Sequence, residues 1–357
     1  MSKKFLVTGG CGFIGSEAIR QLTALGHSVI NIDKLTYASS EESLSNIPDK
    51  NYTFIEGDIA NKDIVKKLIN NAQPNYILNF AAESHVDRSI ECPEDFINTN
   101  ILGTFNLINE SYNYFSALSK IEKTDFKFIH ISTDEVYGSL KLSERAFVES
   151  DPYKPNSPYS ASKASSDLLV RSWFKTFGLP AIITHSSNNY GPWQFPEKLI
   201  PLTVSNILKG NPIEIYGKGQ NVRDWIFVQD HIEAIISIVL EGEIGEIYNI
   251  GGNCEVSNIE MVRNICNILN DLQPKSGLNY NNLITFVEDR PGHDMRYALD
   301  ITKINKDLSW SPKTSLDKGL KISIEWMLDN KDWLFNKSKD HKRNSFFALN
   351  LLKRDRW

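Results

Sequence analysis

The sequence predicts an α/β protein, a doubly wound parallel sheet with a smaller, partly interleaved lobe. Short β-branched runs alternate with amphipathic stretches through the first half of the chain, and such alternation means a parallel sheet covered on both faces. The alternation fades after Ser187 into turn-rich pieces. The 357 residues suffice for one large domain or two smaller ones at about 100–200 residues each.

Phe5–Thr8 is the first strand, and Ala18, Ile19, Leu22 and Leu25 recur behind it at helical spacing. Val29–Asp33, Thr53–Glu56 and Tyr76–Phe80 are the next three strands. A helical pattern runs from about Asp95 to Leu118, followed by the strand Lys127–Ser132, a helix from about Pro158 to Phe177, and the strand Ala181–Thr184. Beyond these, Asn189–Pro192, Gly217–Gly219 and Arg290–Gly292 are turns of a smaller lobe capping the carboxyl ends of the strands. Asp224–Leu240 is expected to rejoin the main domain. The expected division is 1–186, with 224–248 returning to it, then a lobe of 187–223 and 249–330, and a basic tail of 331–357. That tail holds eight Lys/Arg against three Asp/Glu, and such runs form solvated faces or partner contacts.

Lys plus Arg number 39 against 44 Asp plus Glu, a net charge of −5, which argues against nucleic acid as the main partner. At 41% hydrophobic and 23% charged residues, the chain is too apolar for disorder. No leader-like apolar segment opens the sequence and no stretch approaches 18 apolar residues, so neither export nor a membrane span is expected. Cys11, Cys92, Cys254 and Cys266 show no CxxC spacing, which suits a reducing cytoplasm. The histidines include no HExxH, and no metal is expected.

Gly10, Gly12 and Gly15 form GxGxxG. Alone this is a weak signal. Here it follows a strand, opens an amphipathic helix, and has Asp33 eighteen residues on at the end of the second strand. The glycines permit a tight turn and close approach of a pyrophosphate to the helix N-terminus, as in a Rossmann-like fold. Asp33 favours the ribose hydroxyls of NAD over the 2′-phosphate of NADP, and the neighbouring Lys34 weakens that preference slightly.

Tyr159 and Lys163 lie at i and i+4, on one helix face. A lysine near a tyrosine lowers the phenol pKa, which suits removal of an alcohol proton as hydride leaves. Thr133, at the end of a strand, supplies a third hydroxyl. Asp134 and Glu135 follow it and are surplus to a simple alcohol oxidation. Near a substrate, two adjacent carboxyls raise each other's pKa and split into an acid and a base. After oxidation to a ketone, a carboxylate can remove the neighbouring C–H proton while a carboxylic acid expels a β-hydroxyl as water. From these residues the reading is oxidation followed by elimination, with a solvated Asp–Glu loop or a helix cap as the open alternative.

Together with Asp33–Tyr37, Ala81–Ser89, Ser157–Lys163, Asn188–Pro192, Phe195–Pro201 and Asp289–Asp294, the run Ser132–Gly138 makes the chain resemble a known family over about residues 4–330. It resembles the extended short-chain dehydrogenase/reductases and, within them, the dTDP-glucose 4,6-dehydratases. The resemblance implies NAD as a retained cofactor, dTDP-glucose as substrate, and a 4-keto-6-deoxy sugar nucleotide as product for deoxysugar biosynthesis. It implies that Tyr159, helped by Lys163 and Thr133, deprotonates the 4-hydroxyl, that Glu135 takes the carbon-5 proton, and that Asp134 protonates the leaving 6-hydroxyl. For the cofactor it implies Gly9, Gly12, Phe13, Ile14, Gly15, Asp33, Lys34, Thr36, Asp58, Ile59, Ala81, Ala82, Tyr159, Lys163 and Asn189. For the substrate it implies Ser84, Arg88, Thr133, Asn188, Lys198, Leu199, Tyr216, Arg223, Asn258, Arg290 and His293. It implies a homodimer formed through two long helices, about 95–118 and 158–177.

Three residues or pairs depart from that pattern. Cys11 stands where Ala is usual and introduces a potentially oxidisable thiol. Ser39–Ser40 replace Gly–Asn, and Glu214 replaces a Pro. The alternatives are UDP-glucose as the donor, a same-fold epimerase or decarboxylase, and a non-catalytic NAD-binding scaffold. Retention of Tyr159 and Lys163 argues against the scaffold, and Asp134–Glu135 against the epimerase.

Overall fold

The structure, a computed structural model, describes residues 2–289 and 292–338. Among these residues the strands are β1 (Lys4–Thr8), β2 (Ser28–Asp33), β3 (Tyr52–Glu56), β4 (Tyr76–Asn79), β5 (Lys127–Thr133) and β6 (Ala181–Ser186). They continue with β7 (Asn188–Tyr190), β8 (Ile213–Tyr216), β9 (Val222–Phe227), β10 (Ile247–Ile250), β11 (Glu255–Ser257) and β12 (Ile284–Val287). Seven strands form one parallel sheet in the order β10-β6-β5-β4-β1-β2-β3. The chain builds outward from β1 through β3, then crosses back and continues on the other side from β4. The reversal lies between β1 and β4, and such a switch point opens a crevice at the carboxyl ends of the strands.

The strands are apolar on both faces because helices cover both. Phe5 and Val7 of β1, Leu78 of β4 and Ile129 of β5 join one core with Ile19 and Leu22 of the Phe13–Ala24 helix and Ile232, Ile235 and Ile238 of the Val228–Glu241 helix. Leu6, Ile77 and Phe128 point the other way, onto Val65, Leu68 and Ile69 of the Lys62–Ala72 helix, Leu107 and Ile108 of the Thr104–Ala117 helix, and Val170 of the Pro158–Phe177 helix. This inversion at successive positions is the period of two expected of strands.

The helix expected at about 95–118 is not one continuous α-helix. A short turn at Pro93–Phe96 leads into a π-helical segment, Ile97–Gly103, before the Thr104–Ala117 helix. The widened backbone lets Asn100 accept from the Glu83 amide (2.9 Å) and donate to the Glu83 carbonyl (3.0 Å) and to Ser162 Oγ (2.8 Å). A Cβ on Gly103 would come within 2.7 Å of Ile59, so only glycine lets this helix approach so closely. Such π segments recur at functional sites.

The smaller lobe packs β8 against β12 and joins β7, β9 and β11 in a second small sheet. Its core includes Ile200, Val204, Ile215, Met261, Ile265, Leu320 and Ile324. Asp224–Phe227 belong to β9 in that small sheet, though Ile226 already faces the large-sheet core, onto which the Val228–Glu241 helix then packs. Trp333 and Leu334 are buried in this core, so a solvated tail does not begin at 331. Their apolar side chains, placed side by side on helical positions 331–338, outweigh the surrounding charges. The rest of the basic tail, 339–357, lies outside the described residues.

Candidate active site

The loop after β1 enters the switch point with Gly9 at φ +68°. A Cβ there would sit 2.7 Å from the backbone of Ala81, which follows β4, and one on Gly15 would sit 2.3 Å from the Gly9 carbonyl oxygen. Only hydrogen fits either place. The Phe13–Ala24 helix starts at Gly12, with no side chain capping its first turn, so its amides and dipole face the cleft as an anion cradle.

Asp33 ends β2 and is buried. Its Oδ2 accepts from the Cys11 amide (2.9 Å), and its Oδ1 accepts from the Leu35 amide (2.8 Å) and the Ser39 hydroxyl (3.0 Å). A carboxylate offers about four acceptor positions, so this net orients the group without exhausting it. Lys34 donates to Thr99 Oγ1 (2.8 Å) and pairs with Glu83 (3.3 Å). The Cys11 thiol is pushed up to about 12 by burial and then by Asp33. That favours the thiol over the more readily oxidised thiolate.

At the end of β5, Thr133 Oγ1 accepts from the Glu135 amide (3.3 Å) and donates to Asp134 Oδ1 (3.3 Å). Asp134 is 2% exposed, and its Oδ2 has no hydrogen-bond partner. Burial first, then the charges of Glu135 and Asp224, push its pKa well above the ordinary carboxylate range, against the pull of Arg223. Of the two adjacent carboxyls, Asp134 is thus the one whose surroundings favour the protonated form.

Tyr159 and Lys163 project from the Pro158–Phe177 helix, which is started by a capping box on Ser157 and by Pro158. Lys163 Nζ donates to the Ile131 carbonyl (2.8 Å), and burial lowers its pKa to about 8 against the attraction of Asp167. Lys163 does not bring the Tyr159 phenol below its ordinary value. Burial first, then the charge of Glu135, raise it, while a hydrogen bond with Thr133 lowers it. Behind the helix, Asp167 accepts from Ser132 Oγ (3.0 Å) and His185 Nε2 (3.0 Å) and pairs with His130 Nε2 (3.3 Å). Burial works against its charge, yet the bonds from His130 and His185 hold its carboxyl below the usual range.

All fifteen residues expected at the cofactor, and all five expected in catalysis, line this one cleft, as do Ser84, Asn188 and Lys198. Leu199, Arg88, Tyr216, Arg223, Asn258 and His293 do not line it, and Arg290 lies outside the described residues. Leu199 opens a helix and packs on the small-lobe core. The Arg88 guanidinium lies over the Tyr37 ring at 3.9 Å. Tyr216 and His293 face each other (6.2 Å between rings), and Arg223 Nη2 donates to the Asp294 carbonyl (3.0 Å). The cleft also takes Thr99, Ser132, Ser186, Ser187, Gln194, Phe195 and Glu197, which sequence reasoning missed. Thr99 arrives through the π-helical segment, which leaves no mark in residue spacing. Glu197 adjoins the expected Lys198 and could have been flagged from that position. Among the described residues no cluster of His, Cys, Asp and Glu could hold a metal.

The family model for GDP-mannose 4,6 dehydratase matches residues 6–323. The dTDP-glucose 4,6-dehydratase of Haemophilus influenzae is 50% identical over 332 residues, covering 91% of this chain and 98% of that protein. That of Neisseria meningitidis is 50% identical over 339 residues, covering 94% and 96%. A crystal structure of the Bacillus anthracis dTDP-glucose 4,6-dehydratase in complex with NAD superposes with a TM-score of 0.83 at 40% identity, covering 94% of this chain and 100% of that one. These matches, at up to 50% identity over more than nine-tenths of the chain, place it among the dTDP-glucose 4,6-dehydratases of the extended short-chain dehydrogenase/reductase family.

Proposed function

We propose that this protein dehydrates dTDP-glucose to dTDP-4-keto-6-deoxyglucose, by oxidation at carbon 4, elimination of water across carbons 5 and 6, and reduction at carbon 6. Relatives of that name and solved structures of them with NAD bound support the reading. The cleft suits NAD: the glycine cradle that a Cβ would fill fits a pyrophosphate, and Asp33 lies where a ribose would be bonded. Bound NAD supplies a reversible two-electron acceptor, restored at the end of each cycle.

The chain's own groups handle the protons. Tyr159 takes the 4-hydroxyl proton as a phenolate, the form that the Thr133 hydrogen bond and the Lys163 charge favour against the burial that raises it. Glu135 removes the carbon-5 proton once the carbon-4 carbonyl has acidified it. Asp134, whose buried position favours the protonated form, gives its proton to the departing 6-hydroxyl, so water leaves and a carbon–carbon double bond forms. The buried Asp134 with its unpartnered Oδ2 beside Glu135 is the observation that carries this reading, because an alcohol oxidation alone needs neither.

We further infer that 1–186 with 224–248 holds the cofactor, while 187–223 and 249–330 hold the sugar nucleotide. Asn188, Gln194, Phe195, Glu197 and Lys198 bring the second segment to the cleft wall. The nucleotide end falls to the Tyr216, Arg223, Asn258 and His293 group, joined to the cleft by the electrostatic reach of Arg223 to Asp134. A homodimer is supported by apolar side chains left exposed on the two expected helices, Phe105 at 37%, Leu168 at 58% and Phe177 at 46%. A cytoplasmic setting is supported by the unpaired thiols of all four cysteines. No helix among the described residues is long and apolar enough to cross a membrane.

The test is to incubate the purified protein with dTDP-glucose and, separately, UDP-glucose without added NAD, and to follow the products by mass spectrometry. Loss of one water from dTDP-glucose is expected. Retention of all atoms in both donors, even after NAD is supplied, would remove the dehydratase reading.

A further inference from the structure

The segment that follows β2 forms one wall of the cleft through Lys34, Thr36, Ala38 and Ser39. The residues between and beyond them are tied to elements far away in sequence. Tyr37 donates to Glu197 Oε1 (3.3 Å), meets Phe195 edge-on (5.4 Å between rings), and carries the Arg88 guanidinium on its face. Glu197 faces His85 Nε2 at 3.8 Å. At the other end, Trp333 Nε1 donates to Ser40 Oγ (3.1 Å), and Lys337 Nζ donates to the Ser39 carbonyl (3.2 Å). Trp333 is itself wedged against Trp193 (5.4 Å) and Trp326 (5.2 Å). Of the pair that departs from the family's usual Gly–Asn, Ser40 makes its bond at this second end through its side chain, and Ser39 through a backbone carbonyl that any residue would offer.

We propose that 34–40 is a clasp, latched by the Tyr37–Glu197 and Ser40–Trp333 hydrogen bonds, that keeps a dinucleotide in the cleft between turnovers. The proposal rests on the reading of the cleft as the NAD site. Asp33 and the clasp share that wall, and Ser39 Oγ donates to Asp33 Oδ1 at 3.0 Å, so moving the clasp disturbs the carboxylate expected at the ribose. Glu197 (9% exposed), Ser40 (7%) and Trp333 (8%) are buried, so water competes poorly for their bonds. A cofactor regenerated in every cycle gains nothing from leaving, and residence is set mainly by the off-rate. Tyr37, Ser40 and Trp333 are therefore positioning residues, acting on the cofactor through the wall they hold.

The experiment measures exchange of bound NAD for deuterated NAD by mass spectrometry, in the full chain and in Tyr37→Phe and Ser40→Ala. The wild type is expected to carry close to one NAD per chain through gel filtration. Each variant should exchange about two- to tenfold faster, as expected for loss of one buried hydrogen bond, with the double variant faster than either. NAD-free protein should melt only a few degrees early in either single variant, as for loss of one buried hydrogen bond, and Ser205→Ala, which removes a buried hydrogen bond in which 34–40 takes no part, should leave exchange at the wild-type rate. Unchanged exchange rates in Tyr37→Phe and Ser40→Ala, or equally fast exchange in Ser205→Ala, would overturn the clasp. A wild type that carries no NAD and takes up none from solution would overturn the cofactor reading itself, and the clasp with it.

Discussion

Asp134 shows how one side chain trades stability for chemistry. Burial and the charges of Glu135 and Asp224 raise its pKa, so the folded chain holds a proton that the unfolded chain releases above the ordinary aspartate value of 3.8. Its contribution to stability is therefore greatest at low pH and falls as pH rises from that value through the folded-state pKa. Asp134→Asn removes the titration while keeping the shape. At neutral pH the variant is expected to be more stable than the wild type in urea unfolding, with the difference closing towards pH 3.8, yet its single-turnover dehydration should slow by about 10²–10⁴-fold. An unchanged dehydration rate would take Asp134 out of the mechanism. Lys163 makes a second prediction. Burial brings its pKa down to about 8, so its charge is lost as pH rises through that value, and kcat/KM should fall on the same limb. A profile flat to well above pH 8 would show that the charge on Lys163 is not needed.

At the scale of elements, the Pro158–Phe177 helix serves two faces at once. Tyr159, Lys163 and Asp167 point to β5 and β6, while Leu168 is 58% exposed and Phe177 46%. The inner face is anchored by His130, His185 and Ser132 on Asp167, so the outer face can carry an interface without moving the reactive groups. Leu168→Asp is expected to convert a dimer into monomers in sedimentation velocity, because an unpaired charge at a desolvated contact is costly. Wild-type sedimentation in that variant would place the interface elsewhere. The Ile97–Gly103 segment shows the reverse case, an element whose form no local pattern announced. Its apolar residues fit an ordinary helix, and the π geometry is set by Asn100 binding the Glu83 backbone and by Gly103 against Ile59.

In the whole molecule, β9 is the wall shared by both cores. Ile226 packs with the large-sheet core, while Trp225 and Phe227 pack with the small-lobe core. Alternation along one strand thus couples two cores, and Asp230, just beyond it, accepts from the Lys313 and Thr314 amides (3.0 and 2.7 Å). Urea unfolding of the NAD-free protein is expected to give coincident midpoints by far-UV circular dichroism and by tryptophan fluorescence. Two separated transitions would show that the lobes unfold independently. The alternating α/β order, the glycine loop with Asp33, and the run Thr133–Glu135 with Tyr159 and Lys163 were legible in the residues alone. Each of these is encoded within a few neighbouring residues, where the backbone period and turn chemistry act. Long-range packing alone buries Asp134 and raises its carboxyl, raises the Tyr159 phenol, and lays Arg88 over Tyr37 instead of along the cleft. It likewise decided that Trp333 reaches Ser40 across 293 positions of sequence. These outcomes depend on burial and on charges brought together from distant segments, and no local pattern records how much water a side chain will lose.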